Sequence, residues 1–115
     1  MSSIEELFPS LTAVVHGGAR GHGFMPAGET TPGEFGALVS RWRRGSEEMR
    51  LAWNPKEQWI NFEYRPSPDQ PPALEWTGTL SERYSGGRIS DADASRLREA
   101  LAAIAAAAWE RRPAP

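Results

Sequence analysis

Cysteine is absent from the 115 residues, which excludes disulfide staples, zinc ribbons, thiol nucleophiles and dithiol redox motifs together. That absence suits a reducing compartment, and the cytoplasm is the expected location. Long apolar runs are missing as well. Residues 1–15 show no basic start followed by an apolar core, and the alanine-rich run ending at Trp109 is far too short to cross a bilayer, so neither a secretion signal nor a membrane anchor is expected. There is no excess of positive charge. Thirteen basic side chains stand against fifteen acidic ones, net −2, whereas a dedicated nucleic-acid binder carries a net positive field to neutralise phosphates. No nucleic-acid partner is therefore expected. Lysine is almost lacking, with Lys56 alone against twelve arginines, and together with abundant Ala, Gly and Pro this points to GC-rich coding and a bacterial source.

The signatures of most chemistries are missing too. Neither the GxxxxGK[ST] phosphate cradle nor GxGxxG occurs, and HExxH, the GxSxG elbow and an SxxK pair are absent. The expectation is a protein without catalytic residues, cofactor or metal.

What is present fits one small α+β domain over 1–112, with 113–115 as a tail. A chain of this length buries about 65% of its unfolded surface, so one core needs nearly all its large apolar residues. Sixteen of the hydrophobic residues are Ala, which leaves an unusual share of the core to aromatics, including five Trp.

Ser3-Ile-Glu-Glu6 has the form of a capping box and predicts a short opening helix. Pro9 is expected to interrupt it, and Leu11–Val15 fits either a β-branched strand, the reading preferred, or a continued helix using Leu7, Leu11, Val14 and Val15. Residues 16–30 hold five Gly, two His and a Pro without apolar period, which predicts a long loop. Thr31-Pro32-Gly33-Glu34 resembles a helix start, and Phe35, Leu38, Val39 and Trp42 follow at i, i+3, i+4 and i+7. A helix over 32–44 is predicted, closed by Gly45 as a left-handed cap. Three β segments follow, at 49–54, 59–64 and 74–80, separated by turn residues at 54–57 and a proline-rich stretch at 65–72. Ser90-Asp91-Ala92-Asp93 then caps a last helix over 91–110, with Ala94, Leu97, Leu101, Ile104, Ala105, Ala108 and Trp109 on its buried stripe. The predicted architecture is a three- to four-stranded antiparallel meander with the 32–44 and 91–110 helices packed on one face.

Strand phase assigns the faces. Met49, Leu51 and Trp53, then Ile60, Phe62 and Tyr64, then Leu74, Trp76 and Leu80 point to the core. The opposite phase carries Arg50, Asn61, Glu63 and Glu75, with Trp59 beside them. Four Trp are absorbed by core positions and Trp59 is not. An indole among Arg and Glu is the composition of an interface anchor, so Trp59, Arg50, Asn61, Glu63 and Glu75 are the expected partner-binding residues. The bland account of Trp59 is a strand-end ring covering the hairpin turn.

The arginines at 41, 43 and 44, near Arg50 but interrupted by Glu47 and Glu48, are read as a solvated helix end. The function expected is a protein-binding module that neutralises a partner through its exposed sheet face, of the immunity or antitoxin kind. A homodimer through the alanine-rich last helix is a further expected association. The alternative is a small hydrolase or metal-dependent enzyme using the His16–Glu29 glycine-rich loop, where imidazoles and a carboxylate could take protons or bind a metal.

Overall fold

The computed structural model describes residues 2–27, 31–32, 36–65 and 77–107. Strand β1 (Ser2–Ser3) leads into helix α1 (Ile4–Arg20). Ser3 caps the helix as expected, its Oγ accepting from the Glu6 N–H at 3.1 Å, and Glu5 and Glu6 lie at the positive end of the dipole. The helix then continues through the segment expected to be strand and into the one expected to be loop. Ile4, Leu7, Phe8, Leu11, Val15 and Ala19 form one buried stripe across Pro9, and that continuous 3.6-residue period overrides the β preference of Thr12, Val14 and Val15. Pro9 removes the N–H that would bond the Glu5 carbonyl, but both residues are exposed, which leaves the orphaned acceptor on the solvent side. His16, Gly17 and Gly18 are therefore helical, and only 21–23 form a turn.

Two-residue strands β2 (Met25–Pro26) and β3 (Thr31–Pro32) both pair with β4 (Leu38–Arg44). The helix expected over 32–44 is thus a correction: Thr31 and Pro32 are extended, 38–44 is a strand, and 33–35 lie outside the described residues. Its decisive partner is β5 (Glu47–Asn54), paired from Leu38↔Trp53 to Arg44↔Glu47. Gly45 has φ +57°, the left-handed value that a helix cap also requires. Here it opens the two-residue Gly45-Ser46 hairpin, with positive φ at the first position only, as in a type II′ turn.

Strand β6 (Trp59–Arg65) returns against β5 through Pro55–Gln58. Asn54 organises this turn, its Oδ1 accepting from the Lys56 and Glu57 N–H groups at 3.0 and 3.2 Å. Strand β7 (Thr77–Arg83) completes the sheet, three residues later than the predicted 74–80; Leu74, Glu75 and Trp76 lie outside the described residues. Its register against β6 shifts between Phe62 and Glu63. The principal path is β2-β4-β5-β6-β7, antiparallel throughout, so the meander has four long strands, with the fourth supplied by the supposed helix. Beyond it, a 3₁₀ turn at Ser85–Gly87 precedes β8 (Arg88–Ile89), which pairs with β1.

Helix α2 (Asp91–Ala107) is capped by Ser90 Oγ, which accepts from the Asp93 N–H at 3.1 Å. Ala94, Leu97, Leu101 and Ala105 are buried as predicted and Ile104 packs against them; Ala108 and Trp109 lie outside the described residues. Ala102 and Ala103 are exposed. The two helices are α1 and α2, packed on each other, α1 against β4 and β5 and α2 against β7. Between them and the sheet lie Trp42, Met49, Leu51, Trp53, Ile60, Phe62 and Tyr64, the predicted inward phase extended by Trp42 of β4. Among the described residues no helix is long and apolar enough to cross a membrane.

Candidate functional site

Because both helices cover one face, strand alternation turns the other outward. Cross-strand register sorts that outer face into rows: Arg43, Glu48 and Arg65; Arg41, Arg50 and Glu63; Val39, Ala52, Asn61 and Ser81; and Asn54, Trp59 and Arg83. Four of the five expected site residues share this face, and Glu75 lies outside the described residues. Arg50 is held by Glu63, Nε to Oε1 at 3.1 Å and Nη2 to Oε2 at 3.4 Å, a cross-strand ion pair of the kind worth about 0.2–1 kcal/mol. Asn61 Oδ1 accepts from Ser81 Oγ at 2.6 Å. Trp59 is 36% exposed, while Trp42 and Trp53 are buried.

The arginines of β4 are the residues that sequence reading misplaced. As a strand, 41–44 splits by phase. Arg41 and Arg43 join the outer face, and Arg44 falls on the inner phase. There it donates to both Glu47 oxygens at 3.0 and 3.1 Å and to the His22 carbonyl at 2.8 Å, with its guanidinium 4.5 Å from the centre of the Phe24 ring. This clasp ties the turn after α1 to the first hairpin. Glu47 also accepts from the Tyr64 hydroxyl at 2.5 Å. On the outer face, Glu48 is only 4% exposed, because three guanidiniums converge on it: Arg65 at 3.0 Å, Arg41 at 3.7 Å and Arg43 at 4.0 Å.

Trp59 also borders an open groove of about 400 Å³ at the β7 edge, lined further by Arg83, Tyr84, Arg88, Asp93 and Arg96. Along it Arg96 donates to both oxygens of Glu82, at 2.8 and 3.4 Å, and the Tyr84 hydroxyl donates to the same carboxylate. The Arg96 hydrogen bonds hold the Glu82 carboxyl below the usual carboxylate range, against its partial burial. Burial first, then the Glu82 carboxylate, pushes the Tyr84 phenol well above its ordinary value. Glu82 is thus an anion and Tyr84 a neutral donor across the neutral range. The cluster fastens β7 to α2 and is not poised for proton transfer near pH 7.

The glycine-rich segment does not form the loop expected of it. His16 is half-buried in α1, where its Nδ1 accepts from the Trp42 indole N–H at 3.3 Å, and His22 lies exposed in the following turn. Glu29 is outside the described residues. Among the described residues no three His, Cys, Asp or Glu side chains converge as a metal site would require.

Comparison with family models, with curated proteins and with solved structures returns no match.

Proposed function

We propose that this chain is a protein-binding module whose interface is the outer face of the sheet, with Trp59 as its anchor and Arg50, Asn61 and Glu63 around it. The observation that carries the reading is Trp59: two other indoles are enclosed by the core, and this one stands exposed at the margin between the outer face and the β7 groove. The uncovered part of the indole adds nothing to stability in the free chain, yet it can supply about 2 kcal/mol or more once a partner closes over it. The cross-strand pairs of Arg50 with Glu63 and of Asn61 with Ser81 hold the neighbouring polar groups in place, which lowers the entropy lost on docking. Small immunity and antitoxin proteins, which neutralise a partner by covering it, are the class this reading fits.

Trp59→Ala is the test. Because the indole is 36% exposed and otherwise covered, the variant should melt several degrees earlier than the wild type yet stay cooperatively folded at about 25 °C. In parallel affinity captures from native-host extract, the protein retained by the wild type should be lost by the variant. A variant already unfolded at about 25 °C places Trp59 in the core, and one that keeps the partner removes the outer face as the interface.

A further inference from the structure

Resting on that reading, we propose that the partner presents a carboxylate-rich protein surface, received by an arginine ladder running from Arg43 and Arg65 through Arg41 and Arg50 to Arg83. The described outer-face residues of β4–β7 include five guanidiniums, at 41, 43, 50, 65 and 83, against two carboxylates, Glu48 and Glu63. That is a formal +3 on a chain whose total is −2. Of the acidic residues of the described helices, Glu5, Glu6, Asp91 and Glu99 belong to elements packed on the other face of the sheet, and Asp93 lines the β7-edge groove beside Arg83.

The ladder's own carboxylates do not absorb it. Glu48 is shared by three guanidiniums and sealed beneath them, and the side chains of Arg41 and Arg43 remain 43% and 65% exposed. Glu63 is already bidentate to Arg50. Arg41 and Arg50 are direct cross-strand partners, an arrangement of like charges that destabilises a sheet. Glu48 beside Arg41 and Glu63 beside Arg50 offset that repulsion within the fold, and a carboxylate arriving at the exposed Arg41 and Arg43 offsets it further. Guanidinium forks bind carboxylates in pairs of parallel hydrogen bonds, and Glu48, which draws three arginines to itself, fixes where those forks stand.

The occupant is acidic protein in preference to nucleic acid for two reasons. Single-stranded nucleic acid is held by successive aromatic platforms, and among the described outer-face residues Trp59 is the one aromatic side chain, at one end of the ladder. A polyanion is drawn at long range by net positive charge, which this chain lacks; a bounded acidic patch needs only the local field.

The probes are a fluorescein-labelled twenty-residue polyglutamate and a twenty-nucleotide oligouridylate, titrated with the full chain by fluorescence anisotropy. Polyglutamate should bind at 50 mM NaCl and weaken about tenfold or more by 300 mM as the exposed charges are screened. Arg41→Gln/Arg43→Gln should lose about tenfold in affinity. Where the double variant melts early, Arg43→Gln alone should lose about threefold. Arg20→Gln, exposed at the far end of α1, should bind as the wild type does. The proposal is overturned by no polyglutamate binding at 50 mM salt, by equal loss in Arg20→Gln, by an unchanged ladder variant, or by tighter binding of oligouridylate. The two readings fail separately. Partner capture that survives Trp59→Ala removes the interface itself, whereas capture lost with Trp59→Ala but kept by the arginine variants removes only the acidic partner.

Discussion

Gln58 is the one non-glycine residue with positive φ among the described residues, at +64°, and it stands where the β5–β6 turn must swing the chain back into register. Both of its backbone groups are engaged: its N–H donates to the Asn54 carbonyl at 2.7 Å, and its carbonyl accepts from the Tyr84 N–H at 2.8 Å. The left-handed conformation costs a side chain about 1–2 kcal/mol, while glycine loses about 0.4–1 kcal/mol through greater freedom in the unfolded chain. Gln58→Gly should therefore stabilise the protein by about 0.5–1 kcal/mol, read as a higher urea midpoint at unchanged m-value. A lower midpoint would show that the glutamine side chain contributes more to this turn than its backbone strain costs. Asn54 and Pro55 made the turn legible in sequence, but nothing in the composition marked position 58 as the strained one.

Among the elements, α2 was the most legible and β4 the least, and the difference is physical. A long helix repeats its signal over several turns, so Ala94, Leu97, Leu101 and Ala105 identify one another without help from the rest of the chain. Leu101 is fully buried in the core, and Leu101→Ala should cost about 2–5 kcal/mol by chemical denaturation. A loss below about 0.5 kcal/mol would place it at the surface and break the stripe. Around β4 the sequence sets Phe35, Leu38, Val39 and Trp42 at a helical period, while in the strand itself Leu38, Ser40, Trp42 and Arg44 form the inward row. That row holds only two large hydrophobics, a serine bonded to Thr12 of α1 at 2.9 Å, and an arginine clasping Glu47. Its polar members fit an inward face only because α1 and β5 supply their partners. The same misreading hid the arginine ladder, since Arg41 and Arg43 reach the outer face only when 38–44 is extended.

Stability against pH belongs to the whole molecule, because Glu82 and Tyr84 join the last sheet strand to α2. Glu82 has a depressed carboxyl in the folded chain, so unfolding takes up protons in acid. Its contribution is complete above the ordinary carboxylate value of about 4.3 and is lost as the pH falls through the lower folded value. Tyr84 acts in the opposite direction. Its phenol is raised in the folded chain, so its contribution is complete below the ordinary value of about 10 and is lost as the pH climbs towards the folded one. Thermal melts of the wild type and Glu82→Gln should differ most near neutrality and converge on acidification. Melts of the wild type and Tyr84→Phe should converge above pH about 10. Parallel curves through either window would place the pKa shift elsewhere.

By itself the sequence determined what repeats locally: the Ser3 and Ser90 caps, the buried stripe of α2, the Asn54 turn, and the alternation of β5 and β6 that turned Arg50, Asn61, Glu63 and Trp59 outward. Each depends on residues within one or two turns or strand steps of one another, a range over which backbone geometry leaves few choices. Only the tertiary structure decided that 11–20 continue α1, that 38–44 are a strand, and that Glu48 lies beneath three arginines from two neighbouring strands. A positive φ at Gly45 suits a helix end and a hairpin equally, and a short apolar run fits both periods. The choice was made by pairing between strands and by packing between layers, whose partners are distant in the chain.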